Sequence, residues 1–363
     1  MQRAHKWLPV FGLFCVLLWT LGTALQNYAL IMLGAAPVVV LLISAVMYTV
    51  ALPLAIVIHA LHERKRKSLS RPLPESIIAP RMNRRAFLRH GAAALPAFSV
   101  MSGWTGVAES FETVRIPNFT FQFHDLPPAL HGFKICQLSD MHLGYFRGLR
   151  DMEQLFEKVA AQQPDLVLVT GDIADDLSLL PDILRLLAEL KPPHGVYAAL
   201  GNHEYYRGIK TVRKHFEAST IPLLCNTGVA VPVHEATLFI GGIDDPSRSR
   251  RTDYSTFFPQ SVETALLHAP HEAFKILMSH RPTAFYPATE FGVQLTLAGH
   301  THGAQLGYNG RSVLELGGSE KLLWGHYQRG AAQLYTTCGV GHWFPFRLGC
   351  PPEAPMMVLE KAS

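Results

Sequence analysis

Two long runs without a charged side chain lie near the start of the chain. Residues 8–25 include FGLFCVLLWTLGTAL, and residues 37–60 read PVVVLLISAVMYTVALPLAIVIHA. A hydrocarbon core is crossed by roughly 20 apolar residues, so each run is expected to span a membrane. The link at Gln26, Asn27 and Tyr28 is uncharged, which predicts a hairpin. Arg3 and Lys6 flank one end and the basic run 64–67 the other, so both ends are expected on the cytoplasmic side. From about Val114 the pattern changes to short apolar runs that read as buried strands: Lys134–Leu138, Leu166–Thr170, 196–200, 239–242, Phe274–Met278 and Leu295–Ala298. Between them, 149–163 has helical spacing that brings Leu155, Val159 and Ala160 to one face. Likewise 177–190 aligns Leu180, Leu184 and Leu187, with Pro181 tolerated in the first turn. This alternation predicts an α/β fold with its sites at the strand ends.

Composition supports the division. Of 363 residues 17% are charged and 48% hydrophobic, too apolar for an ordinary soluble domain, which carries roughly 25% charge. The 18 histidines speak against a chain that lies wholly in the membrane. The net charge of +4 is uneven: residues 1–60 carry +2, residues 61–90 carry +7, and the remainder −5. A nucleic-acid binder would carry its basic residues on the folded domain, so nucleic acid is disfavoured as a partner. The reading divides the chain into a transmembrane helical hairpin over 1–60, a basic cytoplasmic linker over 61–113 and a catalytic domain over 114–363. Within the linker, Asn83-Arg84-Arg85-Ala86-Phe87-Leu88-Arg89 followed by GAAALPAFSVMSG resembles a twin-arginine export signal. Val107-Ala108 is a poor cleavage site, so the segment is expected to stay as a third anchor. The bland alternative is a basic linker bound to anionic lipid.

The residues just after the strands carry the chemistry. Ser139-Asp140-Met141-His142 follows KICQL and Gly171-Asp172 follows LVLVT. Gly201-Asn202-His203-Glu204 follows VYAAL, Ser279-His280-Arg281-Pro282 follows FKILM, and Gly299-His300-Thr301-His302 follows LTLA. Asp and His two apart on an extended segment point the same way, as do the two histidines of GHTH. Such nitrogen and oxygen donors suit zinc, manganese or iron rather than calcium. Asp140, His142, Asp172, Asn202, His280, His300 and His302 are too many for one ion. Two ions sharing Asp172 use them all, and a two-metal site with ions about 3.5–4 Å apart suits in-line displacement at phosphorus. Gly171, Gly201 and Gly299 let the backbone turn close to the ions.

The ordered set D-x-H, G-D, G-N-H-E, H, G-H-x-H resembles that of the calcineurin-like metallophosphoesterase superfamily. SDMHLG, GNHEYY, SHRP, GHTHGAQLG and the Cys350-Pro351-Pro352-Glu353 tail resemble a bacterial phosphodiesterase subgroup that is membrane-anchored or exported by the twin-arginine route. The resemblance implies a four-layer αββα sandwich. It gives Asp140, His142 and His302 to one divalent ion (manganese, iron or zinc) and Asn202, His280 and His300 to the other, with Asp172 between them. It places His203 beside the phosphate as a charge stabiliser or proton donor, and has Glu204 orient His203. Arg281 is a candidate phosphate contact or a salt-bridge partner. Tyr205, Tyr206, His326 and His342 are candidates for the substrate pocket. His194, His215, His234, His268 and His271 are read as surface or packing residues. Export would leave Cys338 and Cys350 as candidates for a disulfide.

The function expected is a membrane-anchored phosphoesterase, acting on a phosphodiester before a phosphomonoester, with a lipid-linked or envelope substrate. The expected location is the inner membrane with the catalytic domain outside and the export machinery as a partner. One alternative is a pyrophosphohydrolase of a UDP-diacylglucosamine type of substrate, facing the cytoplasm. Another is a membrane-tethered, metal-dependent binding domain.

Overall fold

Helix α1 spans Trp7–Ala24 and helix α2 spans Tyr28–Ser68. The computed structural model describes residues 7–25, 27–68, 84–249, 251–315 and 321–362. Asn27 starts α2 as a cap, its side chain accepting from Leu30 N at 3.1 Å. The two helices touch through glycine. A Cβ at Gly34 would lie 2.3 Å from Trp19 N, and one at Gly22 would lie 2.5 Å from Ile31 N. Small residues allow this approach of backbones. Among the described residues, one helix is long and apolar enough to cross a membrane, over Ala29–Met47 of α2. Among the described residues α1 carries a shorter apolar stretch, Pro9–Ala24. Helix α2 continues through the basic run 64–67, and helix α3, Arg84–Ser110, takes in Arg84, Arg85, Phe87 and Leu88. Much of the region read as a linker is therefore helical; Asn83 lies outside the described residues.

The chain divides into two units, Met1–Ala108 and Glu109–Ser363. The second unit is built on two sheets. One has the order β1-β13-β2-β3-β4, made from Asn118–Phe123, Met356–Lys361, Lys134–Leu138, Leu166–Thr170 and Val196–Ala199. Its β2, β3 and β4 are parallel, with Cys136 opposite Val167 and Val167 opposite Val196. The other sheet has the order β11-β12-β8-β7-β6-β5, from Gly325–Arg329, Ala332–Thr336, Leu295–Ala298, Phe274–Met278, Ala236–Gly242 and Thr227–Val233. Its four central strands are parallel and its two ends antiparallel. A short hairpin, β9 (Gly307–Tyr308) and β10 (Arg311–Ser312), stands apart.

Burial on both faces explains why the central strands read as continuous apolar runs. In β3, Val167 and Val169 pack with Leu155, Val159, Leu184 and Val212 of α4 (Leu149–Ala161), α5 (Leu180–Glu189) and α6 (Asn202–Glu217). Leu166 and Leu168 point the other way, into a core shared with Leu238, Ile240, Ile276 and Leu297 of the second sheet. Helices α7 (Tyr254–Leu266) and α8 (Phe285–Glu290) cover the far face of that sheet through Phe258, Val262 and Ala288 against Leu277. Helix, sheet, sheet and helix thus form successive layers. The segment read as one helix over 177–190 begins as a single 3-10 turn, Leu177–Leu179, capped by Asp176. Pro181 then sits near the start of α5, where its missing N–H costs nothing.

Candidate metal centre

The five chemical segments leave the C-terminal ends of β2, β3, β4, β7 and β8, so the site straddles the edges of both sheets. Backbone hydrogen bonds lace these exits together. Asp140 N donates to Gly171 O at 3.0 Å, His142 N to Asp172 O at 3.1 Å, and Gly299 N to His280 O at 3.0 Å. The convergence does not come from extended segments, as the two-residue spacing suggested. Asp140, His142, Asp172, His300 and His302 all have positive φ, between 45° and 71°. This left-handed conformation is unfavourable for residues with a Cβ and is held where surrounding structure enforces it, commonly at functional sites. Glycine makes room for it. A Cβ at Gly299 would lie 2.1 Å from Asp140 Oδ2, and one at Gly201 would lie 2.2 Å from Asp172 Oδ1.

All seven expected donors meet. His302 Nε2 lies 3.4 Å from Asp140 Oδ1 and 3.3 Å from His142 Nε2. On the other side, His280 Nε2 lies 3.0 Å from Asn202 Oδ1, 3.2 Å from His300 Nδ1 and 3.2 Å from Asp172 Oδ2. Asp172 Oδ2 is also 3.7 Å from His142 Nε2. Three triads among the described residues, Asp140–His142–His302, His142–Asp172–His203 and Asp172–His280–His300, each present ligand atoms within 4.8 Å of one another. Imidazole nitrogens that face each other across a gap lined by buried carboxylates form a donor set that fits a divalent transition metal. The ring tautomers of two histidines agree with this. His280 Nδ1 donates to Thr170 O at 2.8 Å, and His142 Nδ1 to Asp175 Oδ2 at 3.1 Å. Each of these outer contacts turns Nε2 toward the cluster.

Electrostatics distinguish the histidines. Burial alone would lower His280, but the carboxylates of Asp172 and Asp140 raise it to about 10. Burial, with His280 and Arg281 nearby, lowers His300 to about 2. Burial and the Arg347 guanidinium hold His302 well below the usual imidazole range.

His203 lies at the edge of the cluster, with Nε2 4.0 Å from Asp172 Oδ2 and its side chain 12% exposed. Its orientation corrects one expectation. Glu204 does not hold the His203 ring. Its carboxylate accepts from Gly201 N at 2.7 Å, Asp172 N at 3.0 Å and Ile173 N at 2.8 Å, bracing the two turns that carry Asp172 and Asn202. The ring is held by Asp175, whose two oxygens take His203 Nδ1 at 2.5 Å and His142 Nδ1 at 3.1 Å, while Arg207 Nε donates at 3.0 Å. Burial opposes ionisation of Asp175, yet the bonds from His142 and His203 outweigh it and hold the carboxyl below its ordinary range. Asp175 was not singled out in the sequence; its signal was its place three residues after Asp172. Arg347, 3.2 Å from His302 Nδ1, had no signal at all.

The remaining candidates separate. Arg281 pairs with Asp245 at 2.9 Å and donates to His300 Nε2 at 2.8 Å, so it belongs to the site. Tyr206 is exposed, its ring 5.5 Å from that of His203. Tyr205 is partly buried and donates to Asp244. His326 lines a cavity of about 640 Å³ with Gln122, Gln294 and Gln333, which contains none of the cluster residues. His342 is fully buried, stacked on Phe146 and edge-on to Phe111, so it faces no open pocket. His194 packs against Phe133, and His271 is exposed beside Glu272. Cys338 and Cys350 are free thiols: Cys338 donates to Pro351 O and Cys350 to His302 O.

A two-sheet α/β unit with this cluster at its strand ends defines a metal-dependent phosphohydrolase. The chain belongs to the calcineurin-like phosphoesterase family, whose sequence profile matches residues 133–304. It is similar to a metallophosphoesterase of Aquifex aeolicus, 31% identical over 254 residues that cover 68% of this chain and 92% of the relative. It is also similar to the metallophosphoesterase YkuE of Bacillus subtilis, 28% identical over 78% of this chain and 99% of the relative. A Danio rerio protein named transmembrane protein with metallophosphoesterase domain is 30% identical over 71% of this chain and 60% of its own length.

Proposed function

We propose that this chain is a membrane-anchored, dinuclear-metal phosphoesterase that cleaves a phosphodiester in preference to a phosphomonoester. The observation that carries the reading is Asp172, whose carboxylate stands within reach of both donor groups. Asp140, His142 and His302 would hold one ion and Asn202, His280 and His300 the other, with Asp172 shared. When bound, the ions supply Lewis acidity at the phosphoryl group and neutralise charge in an in-line displacement. His203 works from the open edge. Asp175 accepts from Nδ1–H, so the ring would act through Nε2: as the imidazolium it would donate the Nε2 proton to the departing oxygen and return to the neutral form, or stabilise charge there. Glu204 keeps the Asp172 and Asn202 turns in register. The crossing segment of α2 and the transmembrane name of the zebrafish relative support a tether. Arg84-Arg85 with Phe87-Leu88 supports export of the catalytic unit, and a lipid-linked or envelope phosphoester is the substrate such a tether suits.

The test is hydrolysis of a generic aryl phosphodiester by the purified chain. Turnover is expected only with a divalent transition metal, manganese first. Asp172→Asn is expected to abolish turnover and lower metal content, because the shared carboxylate offsets the repulsion of two cations. Full activity after exhaustive chelation overturns the reading.

A further inference from the structure

Four large apolar side chains stand exposed on two loops that are bonded to each other. Tyr308 is 68% exposed on the β9–β10 hairpin, Val313 40% and Leu314 50% just after it, and Trp343 53% on the neighbouring loop. Gly307 N donates to Leu348 O at 2.8 Å, Leu348 N to Gln305 O at 2.9 Å, and Gln305 Nε2 to Phe344 O at 3.2 Å. Trp343 leans on Phe344, with ring centroids 5.8 Å apart. The two segments, 304–315 and 341–350, contain a single acid, Glu315. Its carboxylate turns inward, accepting from Leu323 N at 2.8 Å and from the Tyr327 hydroxyl at 2.7 Å. Of their two arginines, Arg347 is fully buried and Arg311 is exposed. The face is thus aromatic and aliphatic, with one exposed cation and no exposed acid. Apolar surface gathered in this way marks a place of contact.

The point where the chain enters the catalytic unit lies on the same loops. Glu109, the first residue of that unit, accepts through Oε2 from Gly349 N at 2.6 Å. A Cβ at Gly307 would lie 2.3 Å from Gly349 O, so hairpin, loop and chain entry are in close contact. The helix that leads to this entry, α3, presents Phe98, Met101 and Trp104 exposed. The metal centre is tied to these loops from within. Gly341 N donates to Asp140 O at 2.7 Å, Cys350 Sγ to His302 O at 3.2 Å, and Arg347 Nη2 reaches His302 Nδ1 at 3.2 Å. The exposed apolar residues are therefore outer parts of the segments that back Asp140 and His302.

We propose that the β9–β10 hairpin and the 343–349 loop form a lipid-docking face, which seats in the headgroup layer and brings the metal centre to a phosphodiester lipid in place in the bilayer. The residue types suit that depth: tryptophan and tyrosine settle at the membrane interface, with an apolar body and a polar edge. Leu314 and Val313 enter among the upper acyl chains. Arg311 reaches up to lipid phosphate on its flexible stem, and no exposed acid opposes an anionic surface. The inference rests on the tethered phosphoesterase reading above and adds to it the surface that meets the substrate.

The experiment uses the full chain in vesicles of phosphatidylcholine and phosphatidylglycerol, with bromine on the acyl chains of part of the phosphatidylcholine. Flotation with the vesicles is read first. The chain has five tryptophans, so the Trp343 signal is the difference in fluorescence between the wild type and Trp343→Phe. That signal is expected to be quenched by the brominated lipid and protected from aqueous iodide. Tyr308→Ser with Leu314→Ser is expected to raise KM for a diacyl phosphatidyl nitrophenyl ester in the vesicles about 10–100-fold, the range for withdrawing one or two large side chains from an apolar phase. Its turnover of the soluble aryl phosphodiester should stay at the wild-type level. The quenching needs no variant but Trp343→Phe, so a folding defect of the double variant does not end the test. Trp343 open to iodide in a chain that floats overturns the docking alone. Trp343 shielded from both quenchers also overturns it and points to a second copy or another protein on this face. A wild-type KM for the vesicle ester in the double variant overturns it as well. A chain that does not float overturns tether and docking together. Lack of metal-dependent turnover of the soluble ester by the wild type overturns the phosphoesterase reading, and the quenching is read independently of it.

Discussion

At the scale of single residues, the site depends on one carboxylate that lies outside the donor set. Asp175 takes the Nδ1 proton of both His142 and His203, coupling an expected ligand to an expected proton donor. Asparagine has one acceptor where aspartate offers two oxygens, so Asp175→Asn leaves one ring loose. Metal affinity should fall about 10–100-fold, as is usual when the partner of a ligating histidine is lost, and kcat should fall with it. His203→Ala should behave differently. Metal content should stay near the wild type while kcat falls about 10²–10⁴-fold, with a smaller loss on an activated aryl leaving group than on an alkyl one. Metal analysis beside turnover of the two substrates separates these outcomes. Loss of metal from His203→Ala would make it a ligand.

At the scale of elements, the first turn of α6 and the exits of β3 and β4 act as one piece. Glu204 binds three backbone N–H groups from both exits, and its burial and the nearby Asp172 raise its carboxyl above the usual range. Glu204→Gln replaces one acceptor oxygen by an amine that can only donate, leaving at least one buried N–H without a partner. The expected cost is about 1–3 kcal/mol in denaturant unfolding. The metal-loaded form should show a smaller loss than the metal-free form, because bound ions stabilise the folded state. The strands themselves were readable: LVLVT is apolar throughout because Val167 and Val169 face helices while Leu166 and Leu168 face the second sheet. The edge strand β1 was not readable as part of the sheet, because its partner β13 lies more than 200 residues away in the chain.

For the whole molecule, the proposed function entails an anchored enzyme with an exported catalytic unit. The full chain should fractionate with membranes. A protease added to spheroplasts should remove a tag placed after Ser363, and Arg84→Lys with Arg85→Lys should abolish that accessibility. A tag protected in the wild type and unchanged by the double substitution would place the catalytic unit on the cytoplasmic side.

The sequence by itself determined which donors exist and which strand each one follows, because those are matters of local side-chain chemistry and of apolar runs that end in Asp, His or Asn. Tertiary structure decided the rest. The ligands converge through left-handed turns that glycines elsewhere in the chain leave room for, rather than through an extended zigzag. Asp175 and Glu204 acquired their tasks from which groups came within hydrogen-bond distance. The arginines behind His300 and His302 come from other parts of the chain, and no spacing of residues records which partner packing brings to a ring nitrogen.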